Sequence, residues 1–510
     1  MLVQESDLYL YHLTLKRQTN YVNSCIGHFI DREQDNKRSK DLQLCIATET
    51  HIELYDVANG TLRRLIEIPI FATLTTIESF RIENSSVSLL AMTSDSGNLT
   101  IAQFHRPSLN RIALKTVLNQ PMTRSQVRRV SPISYMTVDP YGRCLLLSAI
   151  EKNKLCFVLN TNNDGSLVIQ SPLEAIRPDV ITLDITSCDV QYDNPCFAAL
   201  EIDANNYHLV FYILDLSLNH IVKKAEYKVN SEANFIMGIP ALSKYKINCV
   251  SNTDEINPFV LVGFENYLMV KDMNGFFSLK VPLPNRNGQK ATIISGALQT
   301  LKKSFFILLQ SNFGDLYKLT IEPDGNDRDK PLVSISYFDT IFQAEKLHIF
   351  KNGYLFANSE LGDSYLFQFD SLGDDSEKIT SADPGKQLRF EPTETLNNLS
   401  IVSTKKNLNP LLSTQVTNSN PLTIAANSTR ILTNGVRFED DISSPLPPGA
   451  ENIWTIKVPG ESIHKLLFLG FPKSTMILEI ESGTLEEMNS LKNPFKVKGD
   501  KSLYVAAMTD

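Results

Sequence analysis

Short apolar runs, each followed by a polar turn and a second, alternating β-rich run, recur seven times between residues 44 and 369. The first four copies are LCIATETHIELYD from Leu44, LAMTSDSGNLTIAQF from Leu90, LLSAIEKNKLCFVLN from Leu146 and AALEIDANNYHLVFYILD from Ala198. Three more begin at Val260, Ile307 and Leu355: VLVGFENYLMVKD, ILLQSNFGDLYKLTI and LFANSELGDSYLFQF. Their starts lie 46 to 62 residues apart. Helical repeats of similar period would show apolar residues every 3.6 positions, a spacing absent here. A period of about 40–60 residues with several strands per unit predicts propeller blades. The fold class is therefore all-β: a seven-bladed β-propeller, divergent and WD40-like, followed by the start of a second β-propeller.

The remaining pattern supplies the other strands and the boundaries. Phe71–Ile82, Ile133–Val138, Leu183–Val190 and Phe276–Val281 are strand-like stretches between the hairpins. Gly97, Gly142, Gly314 and Gly362 sit in turns beside Asn, Asp or Tyr, where positive φ is tolerated. The segment Leu8–Leu15 (LYLYHLTL) is β-prone and is expected to close the ring by pairing into the last blade. Residues 1–370 are thus the expected first propeller. Residues 371–420 contain acidic, Pro-containing stretches such as LGDDSEKITSADPGK and are expected to be linker and loops. Hairpins resume at Leu422 and Lys465, and KSLYVAAMTD ends the chain as a further strand. The expectation for 421–510 is the first blades of a second propeller, whose ring does not close within the chain.

Composition narrows the function. At 510 residues the chain exceeds the ~250–300 at which single cores stop growing. A net charge of −8 is the wrong sign for a protein whose main task is gripping phosphates, and it favours protein partners. The seven cysteines (Cys25, Cys45, Cys144, Cys156, Cys188, Cys196 and Cys249) include no C-x-x-C, and most lie inside strand-like runs. They are expected to be buried, reduced thiols in a reducing compartment. The first residues have no basic, apolar leader, and no apolar run approaches the ~18 residues of a membrane span.

Candidate chemistry is sparse. The eight histidines have no zinc-type spacing, and phosphate loops and a G-x-S-x-G elbow are missing. Asp95, Glu151, Glu201, Asp203, Asp315 and Asp363 fall at hairpin turns. They are expected to be solvated or to cap backbone donors, and not to form a glycosidase pair in a central channel. No catalytic, cofactor-binding or metal-ligating residue is assigned, and no cofactor is expected. One basic group, Arg124, Arg128 and Arg129 in MTRSQVRRV, is either a solvated loop with local salt bridges or a patch that contacts an acidic partner protein or passing RNA. The only tryptophan, Trp454, lies outside the seven repeats, so the blades lack the Trp-Asp mark of ordinary WD40 repeats.

Longer strings carry a resemblance. VDPYGRCLLLSAIEKNKLCFVLN (138–160), SPLEA (171–175), DNPCFAALEID (193–203), FENYLMVKD (264–272) and GYLFANSELGDSYLFQF (353–369) run in order through the chain. With YLYHLTLKRQT and NIWTIKV, they resemble the large triple-propeller subunits of splicing factor 3b, in their yeast-type form. That superfamily also holds the damaged-DNA-binding adaptor of cullin ubiquitin ligases and the largest cleavage and polyadenylation factor subunit. The resemblance implies a nuclear, non-enzymatic scaffold of the U2 small nuclear ribonucleoprotein and the spliceosome. It would support the HEAT-repeat subunit in branch-site recognition during pre-mRNA splicing. Implied partners are that subunit and the small subunits of splicing factor 3b in a hetero-oligomer, with RNA contact mostly indirect and no membrane. The alternatives are a cullin-ligase adaptor, a polyadenylation factor subunit or a propeller hydrolase. Residues 239–257 and 371–420 match poorly, so no contacts are carried over there.

Overall fold

The computed structural model describes the chain except for residues 1–18, 20, 31–41, 83–84, 109–110, 123–132, 150, 163–166, 205, 248–255, 325–329, 361, 374–376, 384, 394, 408–410, 418–419, 426–428, 432–446, 448, 458–463, 482–483, 489–499 and 507–510. It falls into two compact units, Met1–Ile431 and Leu432–Asp510.

In the first unit, antiparallel four-stranded sets follow one another in chain order. The first is Tyr21–Gly27, Gln43–Thr48, His51–Ala58 and Thr61–Pro69. The second is Leu74–Phe80, Leu89–Ser94, Asn98–Ser108 and Arg111–Pro121. Second strands such as Gln43–Thr48, Leu89–Ser94 and Cys144–Ala149 are buried at every position. That is why they read as short continuous apolar runs: both faces are covered by neighbouring sheets.

The next two sets share a strand. Ile133–Val138, Cys144–Ala149 and Glu151–Thr161 lead into the 16-residue Leu173–Cys188. Residues 173–176 of that strand pair with Glu151–Thr161, and residues 180–188 pair with Cys196–Asp203. Asn206–Asp215 and His220–Val229 complete the second of these sets. Phe235–Gly238, Phe259–Phe264, Tyr267–Asp272 and Ser278–Pro282 form another. Ile293–Thr300, Phe305–Ser311, Asp315–Pro323 and Pro331–Thr340 follow. The last contains Lys346–Phe350, Tyr354–Asn358, Ser364–Phe369 and Leu399–Lys405.

The first strands of these sets touch in succession. Tyr21–Gly27 meets Leu74–Phe80, then the series runs through Ile133–Val138, Leu173–Cys188, Phe235–Gly238, Ile293–Thr300 and Lys346–Phe350. Lys346–Phe350 in turn touches Tyr21–Gly27, so the series closes. An apolar cluster fills the closing gap as it fills the others: Tyr21, Leu44, Tyr55, Phe350, Phe356 and Leu366. Each such side chain, fully buried, contributes about 1.5–3 kcal/mol.

Two glycines show why the turns read correctly. Gly142 (φ +69°) and Gly314 (φ +88°) occupy the left-handed region. A Cβ on either would lie 2.3 Å from the Arg81 carbonyl oxygen or 2.1 Å from that of Ile341, so only glycine fits.

In the first unit two expectations are revised, and a third falls on residues not described. Leu8–Leu15 lies outside the described residues, and the fourth place in the last sheet belongs to Leu399–Lys405. Residues 371–420 are not a passive linker: Ile379–Thr380 pairs onto Pro331–Thr340, and Arg389–Phe390 runs parallel to Asn285–Arg286. Isolated apolar anchors explain this strap in an otherwise polar stretch. Ile379 is fully buried, and the Phe390 ring stacks on Tyr337 with centroids 4.2 Å apart. The hairpin at Leu422 belongs to the first unit, where Leu411–Thr417, Asn420–Ala425 and Thr429–Ile431 form a small sheet.

The second unit is an antiparallel sheet of Asn452–Ile456, Leu466–Gly470, Thr475–Glu481 and Thr484–Glu487. Leu466, Phe468 and Ile477 pack with Trp454, while Leu469, Phe471 and Leu478 form a second cluster. Residues 501–506, expected to be a strand, are not one, and Leu503 and Tyr504 are exposed. No neighbouring strand pairs with them among the described residues.

Candidate functional site

Arg124, Arg128 and Arg129 fall in 123–132, outside the described residues, between Arg111–Pro121 and Ile133–Val138. The acids can be placed more closely. Asp95 accepts the Thr73 backbone N–H at 2.9 Å and Asp363 that of Asn407 at 2.8 Å, the capping role expected of turn acids. Asp315 is buried and takes Arg286 at 3.0 Å and the Thr340 hydroxyl at 2.7 Å.

Glu201 departs from the expectation. It lies within the strand Cys196–Asp203, is 1% exposed, and faces Lys154 and Arg177, each at 2.6 Å. The Tyr212 hydroxyl donates at 2.7 Å to the same oxygen that Lys154 holds, and Arg177, on the other oxygen, also reaches Glu226 at 3.0 Å. Burial holds the Lys154 amine below its usual value although Glu201 pulls it up, and burial beside Glu201 raises the Tyr212 phenol. A buried carboxylate held by two cations and a phenol is engaged as a structural tie between two sheets.

A second cluster of this kind lies where the series of sheets closes. Lys405, on the outer strand of the last sheet, bonds to Glu53 and Tyr55 of the first. Arg64 stands 3.7 Å from Glu53, and the Lys405 ammonium lies 4.9 Å from the Tyr21 ring centre. Towards the centre, Lys346 bonds to Glu78 at 2.7 Å and to Asn23 at 3.1 Å. Burial works against the Lys346 charge, yet Glu78 wins and raises its pKa. Beside it the Ser24 hydroxyl and His348 Nε2 are 2.8 Å apart. Burial, aided by Lys346, pushes the His348 imidazole down to about 3, so it stays neutral as a structural histidine.

The cysteines hold an arrangement that spacing along the chain did not reveal. Cys25 faces Cys45 and Cys188 faces Cys196 as direct cross-strand partners, while Cys144 lies diagonal to Cys156, two residues off its direct partner Val158. These six are buried free thiols. Burial raises Cys25 and Cys144, and the Cys196 hydrogen bond followed by burial raises Cys188, so the thiolate form is suppressed. Among the described residues no group of three His, Cys, Asp or Glu could hold a metal ion, and no helix is long and apolar enough to cross a membrane.

Antiparallel sheets whose first strands meet in a closed series define a β-propeller platform. The comparisons give its family. Residues 20–406 match the family described as RSE1/DDB1/CPSF1 first beta-propeller, and the chain belongs to that family. It is 49% identical to Pre-mRNA-splicing factor RSE1 of Saccharomyces cerevisiae, over 100% of this chain and 40% of that protein. It is 43% identical to the protein of the same name from Kluyveromyces lactis, over 99% of this chain and 42% of that one. Splicing factor 3B subunit 3 of Drosophila melanogaster is 29% identical over 94% of this chain and 40% of its own length. The chain thus spans about two fifths of the curated relatives it matches.

Proposed function

We propose that the chain is the N-terminal part of a non-enzymatic scaffold subunit of splicing factor 3b, working in the nucleus within the U2 small nuclear ribonucleoprotein. Its first unit is a seven-bladed propeller, the strand Leu173–Cys188 being shared by two blades, and its second unit is the opening blade of another propeller. The observation that carries this reading is similarity along the whole chain to relatives named as splicing factors, 49% identical in one case. The site chemistry supports it. Glu201 and Asp315, buried acids that a hydrolase could have used, are consumed by Lys154, Arg177 and Arg286.

A stiff ring loses little ordering entropy when it assembles with other subunits, which suits a scaffold. Its role would be to support the HEAT-repeat subunit and the small subunits, with RNA contacted mostly through them. Arg124, Arg128 and Arg129 would meet an acidic partner segment or passing RNA. A tagged full-length protein, purified from nuclear extract with proteins and RNA identified together, tests the proposal. Recovery of U2 small nuclear RNA with a HEAT-repeat splicing subunit supports it. Recovery of a cullin or of polyadenylation factors without that RNA overturns it.

A further inference from the structure

One end of the propeller exposes large apolar side chains that its core does not use. Tyr192 follows Leu173–Cys188 and is 72% exposed; Leu216 and Leu218, after Asn206–Asp215, are 41% and 75% exposed; Phe276, after Tyr267–Asp272, is 59% exposed. In antiparallel sheets the turn from first to second strand and the turn from third to fourth lie at the same end. All four residues therefore share one end of two neighbouring sheets. Hydrogen bonds join these turns into one surface. The Leu216 N–H donates to the Asn194 side chain at 3.2 Å, and the Ile256 N–H donates to Asp193 at 2.9 Å. The Asn274 N–H then donates to the Asn257 side chain at 3.3 Å, beside Phe276. Single exposed apolar residues need no explanation, but several held together on a fixed surface mark an interaction site.

The charges around the patch select the partner. Tyr192 packs 4.8 Å from Tyr141, whose ring faces Arg143 and Lys244 at 5.6 and 5.4 Å. Both cations are already taken, Arg143 by Asp139 at 2.8 Å and Lys244 by Asp189 at 2.7 Å. The carboxylates of Asp193 and Asp215 are different: they accept only backbone N–H and hydroxyl donors, Arg143 reaching only the Asp193 main-chain carbonyl at 2.6 Å, and among the described residues neither forms an ion pair. The patch is thus an apolar centre with an acidic rim. Phosphates would be repelled from it, and a basic protein segment attracted. We propose that Tyr192, Leu216, Leu218 and Phe276 form a docking surface for a protein segment whose apolar side chains are flanked by lysine or arginine.

The test uses the full-length protein and two fluorescent peptides of identical leucine and phenylalanine content, one flanked by lysines and one by glutamates. Fluorescence anisotropy should show the lysine-flanked peptide binding about tenfold more tightly, a difference of about 1.4 kcal/mol. Tyr192→Ser with Leu218→Ser should weaken that peptide about tenfold while leaving the thermal unfolding midpoint in place. Asp193→Asn with Asp215→Asn should bring the two peptides to equal affinity. Equal binding of the two peptides to the unmodified protein overturns the proposal, as does indifference to the serine pair. Binding of a labelled single-stranded RNA that the serine pair abolishes would also overturn it, by making the patch a nucleic-acid surface.

Discussion

The seam between the sheets that share Leu173–Cys188 and the seam where the series closes use the same chemistry, a buried glutamate held by a lysine and an arginine. They differ in what else joins them. At the first, the backbone ladder runs unbroken from Glu151–Thr161 through Leu173–Cys188 to Cys196–Asp203. Glu201 adds two close cations and a phenol to a joint the chain already makes. At the second, Leu399–Lys405 and Tyr21–Gly27 belong to separate ladders. Among the described residues closure there rests on side chains: Lys405 with Glu53 and Tyr55, Ser24 with His348, Lys346 with Asn23, and the apolar cluster around Phe350. Where sheets follow one another the connection helps hold them. Where first meets last, side-chain geometry must replace it.

Substitutions can break or sharpen this contrast. The largest effect is expected from Lys405→Met. It leaves Glu53 buried with the Tyr55 hydroxyl at 3.0 Å but its nearest arginine, Arg64, at 3.7 Å, against 2.6 Å for Arg177 at Glu201, and breaking a buried pair from one side costs about 3–5 kcal/mol. The urea midpoint of unfolding should fall accordingly, with limited proteolysis cutting first near residues 346–405.

Next comes a pH effect. His348 is depressed from 6.5 to about 3, so between those values the unfolded chain carries a proton there that the folded one refuses. The stabilisation is fully present above about 6.5 and is lost as pH falls towards about 3. By pH ~5 the loss is about 2 kcal/mol, and His348→Gln should flatten that part of the stability profile.

Lys154→Met should cost less, about 1.5 kcal/mol, because Glu201 keeps Arg177 and Tyr212. A loss equal to that of Lys405→Met would end the distinction between the seams. Lys346→Met should be smallest, under about 1 kcal/mol, since both it and Glu78 are part-exposed. Its effect should shrink further in high salt, which a denaturation series at two ionic strengths would show.

Much of this was legible in the sequence because strand hairpins are local. Alternation of period two and a glycine at Gly142 or Gly314 specify a hairpin without reference to anything distant. The pairing of Ile379–Thr380 and Arg389–Phe390 was not legible, since the anchors Ile379 and Phe390 are single apolar residues in polar surroundings, placed by pairing partners far away in the chain. Glu201 was misread for a similar reason. It stands close to the turn after Asp203, and only Lys154 and Arg177, on other strands, make it a buried tie. The cysteine pairs escaped a search along the chain because strand register, not spacing, brings Cys25 to Cys45 and Cys188 to Cys196. The docking patch left only a faint trace, the aromatic in the polar turn around Tyr192.

The most direct test of the central claim, that the side-chain cluster around Lys405 holds the closing seam, is hydrogen exchange on the Lys405→Met protein, followed strand by strand. The account predicts that protection of Tyr21–Gly27 and Lys346–Phe350 falls together while Leu173–Cys188 keeps its own. A uniform loss of protection, or an earlier loss in Leu173–Cys188, would contradict it.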